Sequence, residues 1–361
     1  MKKIIALVLA LMIIMSMTAC GAKPAETTPA APAATEAAAA ATEAAAEPAG
    51  EVKTYKVGVA IYQYNDNFMT LYRQEIENYF KTLETDTVKY EVTMVDGKND
   101  MGEQTNQIDT FITQKMDVII CNLVQTSSAE VIIDKVVAAG IPLVLINREP
   151  LGDAGDESYP GIINNPTVCY VGADARQSGT YQGEIVLALP NKGDINGDGV
   201  VSYVMVVGDP ENPDAQYRTE YSIKALTDAG KEVECLYEYL DNWDQTTAQQ
   251  DVANALAQYG EKIEVVFCNN DAMALGALQS LQQAGRTVGK DVYLVGVDAL
   301  SEAVQNVVDG NMTGTVLNDD VGQATAAAAA TKLYVEGSKV EQYYWVDYVK
   351  VTKENAAQYI K

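Results

Sequence analysis

The sequence predicts an α/β fold of two doubly wound parallel-sheet lobes. Three observations carry that reading. Short apolar runs alternate with amphipathic helical patterns, as strand–helix crossover units do in a parallel sheet. About 310 residues follow a stretch that cannot form a core, too many for one ordinary core and natural for two. Amides and carboxylates gather where the apolar runs stop, at the carboxyl edge where open α/β sheets take ligands.

At the N-terminus, Lys2-Lys3 precede an apolar run over 4–17 that closes on Met17-Thr18-Ala19-Cys20-Gly21. Basic residues, a short apolar core and small residues at the cut make a secretory signal over 1–19, too short for a membrane span. Cys20 after Thr-Ala resembles the lipobox of bacterial lipoproteins, which implies lipidation of Cys20 as the mature N-terminus. Met17 departs from the usual Leu there, and the alternative is plain secretion with Cys20 trimmed away. Residues 20–50 are Ala, Pro, Thr and Glu with almost no large apolar side chain, so they read as a tether. Pro24, Pro29, Pro32 and Pro48 interrupt any helix there. Random-coil scaling gives such a tether a reach on the order of 30 Å.

Strands are expected at 55–60, 90–95, 118–121, 143–146, 169–171, 201–207, 233–236, 263–268, 293–297 and 314–317. Helical periodicity falls between them at 69–81, 103–114, 129–139, 176–187, 215–228, 248–258, 273–284, 302–308 and 322–335. Gly140, Gly230 and Gly285 stand where helices should stop. Right-handed crossovers then give each half its own parallel sheet.

Composition removes several functions. The net charge is −25, and loss of Lys2 and Lys3 makes the mature chain more acidic still, which repels nucleic acid. There is no histidine, so histidine-based triads are out. Cys121, Cys169, Cys235 and Cys268 show no CxxC spacing and read as buried free thiols. Polar clusters end the apolar runs at Tyr62–Phe68, Asn122, Asn269-Asn270-Asp271, Asp298 and Asn318-Asp319. An edge rich in Asn and Asp without a nucleophile–base pair suits a neutral, hydroxyl-rich ligand.

From about 52 to 361 the chain resembles the periplasmic galactose/glucose-binding proteins, receptors of ABC sugar importers. The resemblance rests on Tyr64-Asn65-Asp66-Asn67-Phe68-Met69, Asn122-Leu123-Val124, Asp194-Ile195-Asn196-Gly197-Asp198-Gly199 and Pro213-Asp214-Ala215, in order. Asn242-Trp243-Asp244, Ile263-Glu264-Val265-Val266, Asn269-Asn270-Asp271-Ala272-Met273-Ala274, Gly296-Val297-Asp298-Ala299-Leu300 and Gly314-Thr315-Val316-Leu317-Asn318-Asp319 complete it. It implies the type I periplasmic-binding-protein fold, with a three-strand hinge and the ligand between the lobes. By that analogy the first lobe holds 53–140 plus 319–344 and the second 141–318 plus 345–361. It further implies a D-galactose or D-glucose receptor, extracytoplasmic and lipid-anchored, working as a monomer beside a membrane permease or a chemoreceptor or sensor.

The implied sugar residues are Asp66, Phe68, Asn122, Asn212, Asp214, Arg218, Trp243, Asn270, Asp298 and Asn318. Carboxylates, amides and guanidinium can satisfy hydroxyls that both donate and accept. Phe68 and Trp243 supply planes for the C–H faces of a pyranose, whereas Phe80, Phe111 and Phe267 read as core. For Asn269 and Asp271 a helix N-cap is the better reading. Asn212 stands where close relatives carry His, which leaves the hexose preference open.

Asp194, Asn196, Asp198, Val200 and Ser202 follow the start of an EF-hand calcium loop, with Gly199 at the sharp turn. Met205 occupies position twelve, and the resemblance supplies Glu264 instead. A metal-free Asp/Gly turn is the alternative. Two other classes compete for the whole chain. A two-carboxylate glycosidase lacks a recognisable catalytic pair. A sugar-sensing repressor needs an N-terminal helix-turn-helix where the signal peptide stands.

Overall fold

The computed structural model describes residues 51–150 and 159–360. The expected signal peptide over 1–19, Cys20 and the expected tether over 20–50 lie outside the described residues.

The elements run β1 (Lys53–Ile61), α1 (Asn67–Leu83), β2 (Val88–Asp96), α2 (Met101–Thr113), β3 (Val118–Cys121), α3 (Ala129–Ala138), β4 (Leu143–Ile146), α4 (Pro160–Ile163) and β5 (Val168–Gly172). They continue as α5 (Ala175–Leu187), β6 (Val200–Val207), α6 (Pro213–Asp228), β7 (Glu232–Leu240), α7 (Gln245–Tyr259), β8 (Val265–Cys268), α8 (Asp271–Gln283), β9 (Tyr293–Val295), α9 (Ser301–Asp309), β10 (Gly314–Leu317), α10 (Asp320–Val335), β11 (Tyr343–Trp345) and β12 (Val349–Thr352). Gly140, Gly230 and Gly285 do close helices with positive φ, where a side chain would be strained.

Two six-stranded sheets result, ordered β2-β1-β3-β4-β5-β11 and β7-β6-β8-β9-β10-β12. The first is parallel throughout; in the second β12 runs antiparallel to β10. Each central strand is buried on both faces. Val118 and Ile120 enter one core with Phe80 and Ala327, while Ile119 and Cys121 enter the opposite one with Phe111 and Ile133. Phe267 is buried likewise in the second lobe.

The chain crosses between lobes three times: at Ala173-Asp174, at Asn318-Asp319 and at Val346-Asp347-Tyr348. The first and third crossings lie side by side. Val346 N–H donates to the Gly172 carbonyl at 2.9 Å. Tyr348 N–H donates to Gln177 Oε1 at 2.6 Å.

One expected boundary is corrected. β4 pairs with β3 and β5 with β4, so the first lobe extends through Gly172 instead of ending at Gly140. A strand–helix unit carries no mark of the sheet it will join; pairing decides it. The expected tail 345–361 joins the second lobe only through β12, since Trp345 pairs with Gly172 in the first sheet. Neither β11 nor β12 is an apolar run, and both were missed for that reason. Cys235 is a second correction. It lies exposed on edge strand β7, whereas Cys121, Cys169 and Cys268 are buried, and all four are free thiols.

Candidate functional site

Between the lobes, at the carboxyl ends of both sheets, lies a cavity lined from both sides. The first lobe contributes Tyr62, Asp66, Phe68, Met69, Asn147 and Arg148. The second contributes Asn212, Asp214, Arg218, Trp243, Asn270 and Asp298, with Asn318 at the second crossing. Its walls are closed over: Asn212, Asp214, Asn270 and Asp298 are each at most 6% exposed.

Helix starts build much of this wall. Asp66 caps α1, its Oδ1 accepting from Met69 N–H at 2.6 Å, and its Oδ2 accepts from the Tyr62 hydroxyl at 2.7 Å. Asn212 caps α6 through Asp214 N–H at 3.0 Å, and Asn270 caps α8 through Met273 N–H at 2.9 Å. Capping and lining the cavity are therefore not alternatives, because a helix N-terminus at a sheet edge does both. The cap of α8 is Asn270, not Asn269 or Asp271. Asn269 instead accepts from Gly208 N–H at 3.0 Å through its side chain. Buried Asp271 accepts from Leu300 N–H at 2.9 Å and Thr315 Oγ1 at 2.7 Å.

Arg218 organises the second-lobe face. Its Nη1 donates to the Asn269 carbonyl at 2.9 Å, and its Nη2 donates to Asp214 Oδ2 at 3.2 Å and the Tyr348 hydroxyl at 3.1 Å. Asp298 Oδ1 lies 3.8 Å from Nη1 and accepts from Asn318 Nδ2 at 3.2 Å. Arg218 Nε is buried without a partner. Burial pushes the Asp298 carboxyl up to about 7, with Arg218 opposing and Asp66 adding. Burial also raises Asp214, against the pull of Arg218 and Arg148. Two carboxylates held in this way are strong acceptors for hydroxyl donors.

Aromatic side chains line the cavity from opposite lobes. Phe68 packs edge-on against Tyr72, with ring centroids 5.9 Å apart. The Trp243 ring lies over Gly208 so closely that a Cβ there would fall 2.2 Å from it, so only glycine admits the indole. Asn147, Trp243 and Asp298 all hold positive φ, at 62°, 69° and 115°. Such backbone costs about 1–3 kcal/mol per residue and gathers at binding sites.

Of the ten expected sugar residues, the structure brings together Asp66, Phe68, Asn212, Asp214, Arg218, Trp243, Asn270, Asp298 and Asn318. Asn122 is the correction. Fully buried, it stands behind the wall, its Oδ1 accepting from Tyr62 N–H at 3.4 Å and its Nδ2 donating to Ile146 O at 3.2 Å and Asn147 Oδ1 at 3.1 Å. It props two lining residues. Tyr62, Met69, Asn147 and Arg148 were missed. Asn147-Arg148 ends the apolar run of β4, the very signal that singled out the other clusters.

The 194–202 loop sits at the opposite end of β6. Asp194 accepts from Gly197 and Gly199 N–H, Asn196 from Asp198 and Asp198 from Val200. Glu264, 1% exposed, accepts from Ile195 N–H at 2.6 Å, Asn196 N–H at 2.9 Å and Ser202 N–H at 2.9 Å. The Ser202 hydroxyl pairs with Glu234 at 3.5 Å. Among the described residues no three of His, Cys, Asp and Glu are grouped to hold a metal ion.

The periplasmic binding protein domain family matches residues 57–339. The chain is 35% identical over 320 residues to the D-galactose/methyl-galactoside binding periplasmic protein of Haemophilus influenzae, covering 85% of this chain and 92% of that one. An ABC transporter solute binding protein of Bacillus halodurans, solved with myo-inositol, superposes with a TM-score of 0.72 at 27% identity, covering 86% of this chain and 99% of its own. A periplasmic solute binding protein of Actinobacillus succinogenes, solved with D-allose, shares the fold with a TM-score of 0.71 at 20% identity, over 84% and 99% of the two chains.

Proposed function

This chain belongs to the periplasmic binding proteins, and from that premise we propose that it is a lipid-anchored receptor that closes over D-galactose or D-glucose and delivers it to an ABC importer. One observation supports this most. Arg218, Asp214 and Asp298 form a buried charged network in a cavity that Phe68 and Trp243 line from opposite lobes. A pyranose ring presents hydroxyls at its rim and C–H patches on its faces, and such a cavity meets both. Lobe closure follows because contacts from both sides exist only when the lobes meet.

Calorimetry of the mature protein against D-galactose, D-glucose, myo-inositol, D-ribose and D-allose is the test. Tight binding of galactose or glucose with weak responses elsewhere is expected. A strong pentose or inositol response without a hexose one overturns the sugar assignment and leaves a receptor for another ligand. Co-purification with a permease, and not with a sensor kinase, is the expected partner result.

In the same reading the 194–202 loop takes a structural calcium ion. A hard cation would be held by Asp194, Asn196, Asp198, the Val200 carbonyl and Glu264, oxygen donors of the kind calcium prefers. A native-state ligand at 100 times its dissociation constant adds about 2.7 kcal/mol. Chelation should therefore lower the melting temperature, and Glu264→Gln should blunt that response. Unchanged melting would leave the loop a turn. Anchoring at Cys20 predicts fatty-acyl labelling that Cys20→Ala abolishes.

A further inference from the structure

Arg148 lines the cavity from the first lobe, is 1% exposed, and leaves both Nε and Nη2 buried without a partner. Its guanidinium lies over the Tyr62 ring, with Cζ 3.8 Å from the centroid. Tyr62 in turn holds Asp66. Nη1 donates to the Val124 carbonyl of its own lobe and reaches across the cleft to Asp209 Oδ2 at 3.3 Å. Asp209 follows β6, in the second lobe.

We infer that Asp209 is a positioning residue for the bound ligand: it engages Arg148 only when the lobes close, and so fixes the cavity-lining guanidinium whose Nε and Nη2 have no protein partner. The inference rests on the sugar-receptor reading for its ligand but not for its geometry. Asp209 is held ready by its own turn, with Oδ1 accepting from Glu211 N–H at 3.0 Å and its carbonyl accepting from Asn212 N–H at 2.9 Å. Oδ2 is thereby presented to the opposite lobe. Asp214 also feels the charge of Arg148, but its ion pair is with Arg218 at 3.2 Å. Asp209 itself is not part of the cavity lining.

Only a contact that differs between open and closed states can shift their balance. The bonds of Arg148 to Tyr62 and Val124 lie within one lobe and survive opening. The bond to Asp209 does not. It therefore stabilises the closed state and, in the same act, orients the donors that meet a ligand acceptor. A charged partner lost from such a position should act mainly on dissociation.

The test compares the mature protein with Asp209→Ala and Asp209→Glu, using D-galactose and D-glucose as probes in stopped-flow binding and small-angle X-ray scattering. Asp209→Ala is expected to raise the dissociation constant about tenfold, chiefly through faster release. Asp209→Glu should recover most of the loss, which a mere folding defect would not. Because the pair is largely buried from solvent, rising salt should change release little in either protein. Equal affinity and release rate in parent and Asp209→Ala overturns the inference. If the parent binds neither sugar, the hexose reading fails on its own. Scattering without ligand then still decides: a more open Asp209→Ala supports the inference and an unchanged one overturns it.

Discussion

The two walls of the cleft are built differently. On the second lobe Arg218, Asp214, Asn269, Asp298, Asn318 and Tyr348 are bonded to one another before any ligand arrives. On the first lobe Asp66 and Tyr62 are tied together, but Arg148 leaves both Nε and Nη2 without a partner where Arg218 leaves only Nε. The second wall is a preorganised platform and the first a lid that completes it. Preorganised polar groups lose little freedom on binding, so the platform should carry most of the affinity. The lid should govern how long the ligand stays.

The largest effect should come from breaking the platform. Arg218→Leu leaves Asp214 and Asp298 buried without their cation, a loss of about 3–5 kcal/mol when one partner of a buried pair is removed. Hexose binding should vanish in calorimetry and the melting temperature should fall. Retained binding would show that the wall is not a unit.

Next in size are Trp243→Ala and Asp66→Ala, one from each wall. Asp66→Ala leaves polar groups unpaired at a cost of about 1–3 kcal/mol. Both variants should weaken binding severely while the far-ultraviolet spectrum stays native. Equal effects on association would erase the difference between platform and lid; the account expects Asp66→Ala to act mainly on release.

A pH series sharpens the same contrast, because the perturbed carboxylate belongs to the platform. Asp298 titrates at about 7 in the folded protein against its ordinary 3.8. The folded state therefore holds the proton that the unfolded state has released, so its share of stability falls as pH rises through that window and levels above it. A sugar hydroxyl donating to this carboxylate favours the charged form. Affinity should then climb toward pH 7, by at most about tenfold per pH unit, and level beyond it. Asp298→Asn should flatten the profile.

The smallest change is Asn212→His. It exchanges one donor for another with longer reach, so the ratio of glucose to galactose affinity should move more than either affinity does. An unchanged ratio would remove Asn212 from the choice of sugar.

Much of this was legible from residues. The exact ends of β3, β4 and β10 follow from apolar runs bounded by polar clusters, because buried parallel strands need both faces apolar. β7 runs on to Leu240, past its expected end, because an exposed edge strand has no continuous apolar run to mark it. Asn122 looked like its neighbours at other strand ends, yet it supports Tyr62 and Asn147 from behind. Which polar group at a sheet edge faces the ligand depends on the loop in front of it. Sequence spacing does not carry that depth. The join of β4 and β5 to the first sheet was invisible for a related reason, since pairing is a long-range choice.

The central claim is that a hexose sits between the lobes against Trp243. The chain has two tryptophans, Trp243 and Trp345, so Trp345→Phe leaves the cleft indole as the sole reporter. Titration of that variant with D-galactose and D-glucose should give a saturable shift in emission together with protection from acrylamide quenching. Unchanged emission and quenching at sugar concentrations that saturate the calorimetric signal would contradict it.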